Sequence, residues 1–157
     1  MSKLTLREAK VEDVEAIVPL INTAFLAERP FVKDERIQAA GVRDLLGKGQ
    51  FLLGYLDDRL AGCVYVETHH PRAYLGLLSV DPAHQHAGFG GELMTAAEER
   101  CRAAGCEGVD LRFINHRTEL LRFYSGLGYR ETGTAPFPET ARMKMPFHFI
   151  QMSKELR

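Results

Sequence analysis

Apolar and polar positions change period several times along this 157-residue chain, and each change marks an element. Leu4 to Arg7 reads as a first strand. Val11, Val14, Ile17, Val18 and Ile21 then recur at helical spacing, with Pro19 a local irregularity that can kink the helix. Phe25 to Pro30 is a connector into a second helix, roughly Lys33 to Leu46, which Gly47 and Gly49 stop. Phe51–Leu56 and Leu60–Val66 flank Asp57-Asp58-Arg59, a hairpin signal. Tyr74 to Val80 is the next strand. It leads into a loop containing Gly88, Gly90 and Gly91, after which Leu93, Ala96, Ala97, Cys101 and Ala104 give one apolar helix face. Val109, Leu111 and Phe113 alternate with Asp110 and Arg112, as a strand requires. Leu120, Leu121, Phe123, Tyr124 and Leu127 form a last helical stripe, with Gly128 placed to end it. Tyr129 to Thr132 and His148 to Ser153 read as strands on either side of an irregular, Pro-containing stretch. The order β-α-α-β-β-β-α-β-α-β-β predicts an α/β fold in one domain, residues 1–157. Its core is a single mixed, mostly antiparallel twisted sheet of about six to seven strands, with helices on both faces.

Composition narrows the classes of function. Hydrophobic residues make up 45% and charged residues 26%, as in ordinary soluble proteins. Twenty basic against 21 acidic residues argue against an electrostatic grip on nucleic acid or anionic membrane. No apolar run approaches the ~20 residues of a membrane span, and the amino terminus is too charged for a signal peptide. Cys63, Cys101 and Cys106 are odd in number and lack metal-type spacing, which suits a reducing, cytoplasmic setting. Cys63 and Cys101 fall on apolar faces and read as small buried hydrophobes.

The strand, the glycine loop and the helix entrance together suit a phosphate. Glycines let backbone approach a ligand, and the unpaired N–H groups of a first helical turn then face it. A Walker loop needs a lysine that is missing here. A dinucleotide fingerprint needs its glycines directly after the strand, whereas seven residues separate Val80 from Gly88. The pattern that fits is Gln85-x-x-Gly88-x-Gly90, with Val80-Asp81-Pro82 upstream. It resembles the acetyl-CoA-binding motif of the GCN5-related N-acetyltransferase (GNAT) superfamily. Downstream, the helix carrying Phe123-Tyr124 and ending in Leu127-Gly128-Tyr129 is similar to that superfamily's second CoA segment. With Leu4-Thr5-Leu6-Arg7-Glu8-Ala9 at the start, the likeness covers nearly the whole chain.

The resemblance implies acetyl-CoA as acyl donor, with no metal. The acetyl group would pass directly, in a ternary complex, to a primary amine of a small molecule or peptide. It also implies that the fourth and fifth strands splay apart to admit the pantetheine arm. Gln85, His86, Ala87, Gly88, Phe89, Gly90 and Gly91 would hold the pyrophosphate. Leu78, Ser79 and Val80 would meet the pantetheine arm, Leu78 and Val80 through backbone groups. Tyr124 would protonate the leaving thiolate, a task for which a phenol of pKa ~10 is suited at neutral pH. Asn115 and Arg117 open its helix. Asn115 is a candidate cap, and either could meet the CoA arm or its phosphates.

Other roles rest on the residues themselves. A lysine-like amine is neutral only rarely at pH 7, a handicap of roughly 4–5 kcal/mol, whereas an α-amino group costs about 1.4 kcal/mol. Glu67, closing the third strand, is the best-placed carboxylate for a base. His86 and Ala87 stand where the family commonly has glycine and a basic residue. An imidazolium at His86 would replace part of that charge, so CoA affinity is expected to weaken between about pH 6 and about pH 8. His69, His70, His84 and His86 lie on two loops and do not specify a metal site. The acceptor pocket is expected between the first connector (Phe25, Glu28, Arg29, Phe31) and the stretch from Thr134 to Phe147. A monomer and a homodimer are both compatible with the sequence. The competing reading is a non-catalytic acyl-CoA-binding module serving sensing or assembly, which keeps the glycine loop but needs no acid at Tyr124.

Overall fold

The computed structural model describes residues 4–157. Its helices and strands follow the order expected from periodicity: β1 (Thr5–Glu8), α1 (Val14–Ala24), α2 (Ala39–Leu46), β2 (Gln50–Leu56), β3 (Arg59–His69), β4 (Arg72–Val80), α3 (Phe89–Ala103), β5 (Gly108–Ile114), α4 (Thr118–Gly126), β6 (Arg130–Pro136) and β7 (His148–Glu155). The seven strands form one open sheet in the order β1-β2-β3-β4-β5-β7-β6. Every neighbouring pair is antiparallel except β4 and β5, which run parallel.

Alternation along the central strands sends side chains to two cores. Val64, Val66, Leu75, Val109 and Leu111 pack with Phe89, Leu93, Met94, Ala97 and Cys101 of α3 and Tyr124 of α4. On the opposite face Phe51, Leu53, Cys63 and Tyr65 meet Val14, Ile17 and Ile21 of α1 and Val42 of α2. Cys63 and Cys101 are buried as expected, Cys106 is buried as well, and burial pushes the Cys63 thiol up to about 12. Pro19 is accommodated inside α1.

The second helix starts six residues later than its periodicity suggests, at Ala39 instead of Lys33. Tertiary bonds take the backbone of the preceding segment. Asn22 accepts from the Ile37 amide and donates to the Ile37 carbonyl, both at 2.9 Å. Val32 forms a bridge with Met143, and the Lys33 amide donates to the Arg142 carbonyl at 2.8 Å. Asp34 sits at φ 64°, outside helical geometry. This segment is therefore strapped to the stretch before β7, and its side chains face a cavity.

The parallel pair β4–β5 positions everything that follows. It has three rungs, Arg72 with Gly108, Ala73 with Val109 and Tyr74 with Asp110. Past Tyr74 the strands part.

Candidate active site

Three sequence-derived elements meet where β4 and β5 separate. The first is the end of β4. A register shift opposite Cys63–Tyr65 marks a β-bulge, and Leu77 there has φ 53°. A left-handed leucine is strained. Ser79 Oγ supports it by donating to the Leu77 carbonyl at 2.9 Å. Bulges re-aim side chains, and here Leu78 lines the gap between the strands while Ser79 is buried.

The second element is the glycine loop. Asp81 opens it by accepting from the Ala83 amide at 2.9 Å. His86 lies at φ 68° and Gly88, the residue before α3, at φ 84°. The first backbone bond of α3 runs from the Glu92 amide to the Gly88 carbonyl at 3.1 Å. The consecutive amides from His86 through Gly91 donate to no acceptor among the described residues. Cβ atoms placed on Gly88 and Gly91 would stand in open space, while one on Gly90 would press on the Phe123 ring at 3.2 Å. Gly88 is thus required by its backbone angle, and Gly90 by the packing of α3 against α4. The Phe89 side chain is core and 3% exposed, so only its amide faces the loop's concavity. Gln85 and Ala87 are exposed. Unpaired amides at a helix entrance form a nest for an anion.

The third element is α4. Tyr124 is 8% exposed, stacks near Phe113 at 5.7 Å, and borders a cavity of about 110 Å³ between β4 and β5. Its hydroxyl forms no hydrogen bond with the described residues, and burial raises its pKa above the ordinary phenol value. Arg117 lies on the same wall, where it donates to Glu28 at 3.0 Å and to Glu119 at 2.7 Å. It is a half-buried structural cation, not a solvated charge. Asn115 does not cap α4: its side chain accepts from the His148 amide at 2.9 Å and so fastens β5 to β7.

A larger cavity of about 500 Å³ adjoins the first. Phe25, Glu28 and Arg29 of the first connector face Phe137, Pro138, Glu139 and Arg142 across it, so both expected segments meet there. Phe31 turns away and stacks on His116 at 4.8 Å. The two cavities share Phe25, Glu28, Arg36, Arg112, Ile114 and Phe149. Glu28 is 7% exposed, and its burial raises its pKa against the opposing pull of Arg117 and Arg36.

Glu67 is elsewhere. It borders neither cavity; Tyr65 donates to it at 2.5 Å, and His69 is its second partner. The Tyr65 hydroxyl holds its carboxyl below the usual carboxylate range, which makes it a weaker base. Arg36 and Arg112 escaped notice in the sequence. Arg112 carried a signal, because it alternates with the core residues Leu111 and Phe113 and so had to face the other side of the sheet. Among the described residues no group of three or more His, Cys, Asp or Glu side chains converges on a metal position.

A family model described as the acetyltransferase (GNAT) family matches residues 14–129. An amino-acid acetyltransferase of Azotobacter vinelandii is 29% identical over 153 residues, 95% of this chain; the chain spans 32% of that protein's length. Ard1 from Thermoplasma volcanium has a TM-score of 0.81 at 21% identity, over 98% of this chain and 97% of that one. The PaiA N-acetyltransferase of Thermoplasma acidophilum, solved in complex with coenzyme A, has a TM-score of 0.80 at 17% identity, over 99% of each chain. At these TM-scores the solved structures share the fold of this chain, and the family match spans the helix α1, the glycine loop and the Tyr124 helix. On that match, the chain belongs to the acetyltransferase (GNAT) family.

Proposed function

We propose that this chain transfers the acetyl group of acetyl-CoA to a primary amine of a small molecule or peptide, with both substrates bound at once, in the cytoplasm. One observation carries the reading: the unpartnered amides from His86 to Gly91 open beside the gap between β4 and β5. The open space above Gly88 and Gly91 fits a diphosphate close to the backbone. The gap fits an extended arm running toward Tyr124. Coenzyme A bound to the PaiA relative supports the choice of donor.

When bound, acetyl-CoA supplies an activated acyl carbon and a thiol leaving group. The chain's own residues hold it and move protons. The backbone of Leu78 and Val80 offers strand-like bonds to the arm and a donor near the thioester oxygen. The Tyr124 hydroxyl, on the cavity wall with no hydrogen-bond partner among the described residues, holds a proton for the departing sulfur. Glu28, rather than Glu67, is the carboxylate we assign to the amine's proton, because it alone of the two stands on the wall shared by both cavities.

The test pairs thiol release from acetyl-CoA, across a panel of primary amines, with calorimetric titration of CoA. Micromolar CoA binding with turnover on at least one amine is expected. Tight CoA binding with no turnover on any amine would favour a non-catalytic binding module instead. Absence of heat on titrating CoA would remove the reading altogether.

A further inference from the structure

The wall shared by the two cavities carries more positive charge than its own carboxylates use. Arg36 and Arg112 both line it, and neither forms a hydrogen bond or ion pair with the described residues. Each rests on an aromatic face: Arg112 lies 4.5 Å from the Phe149 ring centre, and Arg36 lies 5.4 Å from that of Phe25. A guanidinium held on a ring face is fixed in orientation while its N–H donors, at the edge, stay free. Both side chains keep solvent-exposed surface although protein surrounds Arg36 on most sides.

The other charges nearby are already engaged or face only the outer cavity. Arg142 bonds Glu139 at 3.0 Å and reaches the Lys33 and Glu35 carbonyls. Glu28 is taken by Arg117 at 3.0 Å. Glu35 receives a bond from Asn22 at 3.3 Å. Arg29 and Asp34 line the outer cavity only. What remains beside the parted strands is a pair of guanidiniums with no ion-pair or hydrogen-bond partner among the described residues; Glu28 attracts Arg36 but is bonded to Arg117. Two such cations facing one recess repel each other unless an anion enters, and a planar carboxylate matches their fork geometry.

We infer that the acceptor carries a carboxylate a few bonds from its amine, as a free α-amino acid does, and that Arg36 and Arg112 bind this carboxylate. The inference rests on the acetyl-transfer reading and names its acceptor class. The cavity that holds Tyr124 and Leu78 is the one both arginines line, so the anion and the reacting amine occupy neighbouring positions. The apolar remainder of the outer cavity, with Val18, Pro19, Leu26 and Phe137, leaves room for a side chain.

Matched compounds test this: α-amino acids, their carboxamides and the corresponding decarboxylated amines, each assayed for thiol release with acetyl-CoA. A charge-assisted bidentate contact is worth about 1.5–3 kcal/mol, so kcat/KM for the amino acids should exceed that of the neutral partners by about 10–100-fold. Arg36→Gln and Arg112→Gln should each shrink that ratio toward one, with rescue by Lys only partial. Equal turnover of amino acids and decarboxylated amines overturns the inference and leaves acetyl transfer standing. If no amine is acetylated, the acetyl-transfer reading falls, and calorimetry of the amino acids against CoA-saturated protein decides the carboxylate site separately. Binding that is lost in Arg112→Gln, with an unchanged unfolding midpoint, supports it. Binding that is absent, or equal for the carboxamides, overturns it.

Discussion

Arg72 grips Asp110 through two bonds, its Nε and Nη2 each donating to a different carboxylate oxygen at 2.9 Å. These residues lie on the outermost rungs of the three that join β4 to β5. Ser153 of β7 donates to the same carboxylate at 2.5 Å, and Arg72 also reaches Glu155 at 3.2 Å. One guanidinium thus ties three strands together at the apex of the wedge. A parallel pair so short cannot set the angle of its own divergence, so the side-chain clamp must help to fix it.

Asp110→Ala should therefore lower both stability and cofactor affinity. The two side chains are 37% and 44% exposed, so solvent screening limits the loss to about 1 kcal/mol. For a domain of this length that is a fall of roughly 2–4 °C in Tm. Arg72 and Ser153 hold the Asp110 carboxyl below its ordinary value of 3.8. A depressed carboxylate contributes stability above its unfolded pKa and loses it as pH falls through the folded one. The wild type should thus lose this increment below about pH 3.8, and the variant should not. Thermal melts across that range check the sign, and KM for acetyl-CoA should rise. Superimposable melts for the two proteins would show that the clamp does not hold the apex.

Tyr124→Phe removes one hydroxyl from an otherwise unchanged core. The ring stays packed on Phe113 and Tyr129, and no hydrogen bond among the described residues is lost. Stability should change by less than about 1 kcal/mol. If the phenol delivers a proton to the leaving sulfur, kcat should fall by about 10²–10⁴ with CoA affinity near normal. Because burial raises its pKa, the phenol stays protonated through neutral pH, and no alkaline loss of activity from this group is expected below about pH 10. An unchanged kcat would take Tyr124 out of the mechanism.

Local signals made much of this readable in advance. The glycine loop and the Tyr124 helix are each written in one continuous stretch, where backbone demands and period fix the geometry. The two segments lining the outer cavity were also legible as a pair, since neither has a regular pattern and both carry mixed charge. Groups whose role depends on distant neighbours were not. Arg36 lies where the apolar period continues as a helix, and only the side chain of Asn22 and the bridge from Val32 to Met143 unwind that segment. Glu28 looks like any connector carboxylate until Arg117, 89 positions away, is found against it. Glu67 drew notice by ending a strand, yet Tyr65 on the same face consumes it.

Glu28→Gln separates the two carboxylates. Burial lifts the Glu28 carboxyl above its ordinary value of 4.5, so it takes up a proton more readily than Glu67, which is held lower. As a base it must be ionised, so kcat/KM should rise with pH through a point above about 4.5 and then level off. The Gln variant should lose that acid limb and about 10–100-fold in rate at neutral pH, since the fraction of neutral amine then limits the reaction. Glu67→Gln should leave the limb in place. Should the limb vanish in Glu67→Gln and persist in Glu28→Gln, the assignment is reversed.

His86 is held at φ 68° in the run of unpartnered amides, a conformation that costs a side chain roughly 1–2 kcal/mol and costs glycine nothing. Glycine gives part of that back through the greater entropy of its unfolded chain, about 0.4–1 kcal/mol. His86→Gly should therefore be more stable than the wild type, by up to about 1 kcal/mol, read as a higher Tm. The strain persists because the loop needs that angle to turn its amides to one side, and glycine keeps the angle. Pyrophosphate contacts made by the backbone should survive the substitution. Any part of the affinity that depends on the imidazole would be lost. Calorimetry of CoA on both proteins divides main-chain from side-chain binding. A less stable His86→Gly would mean that the imidazole itself holds the loop, and equal CoA affinities would mean that the nest binds through its amides alone.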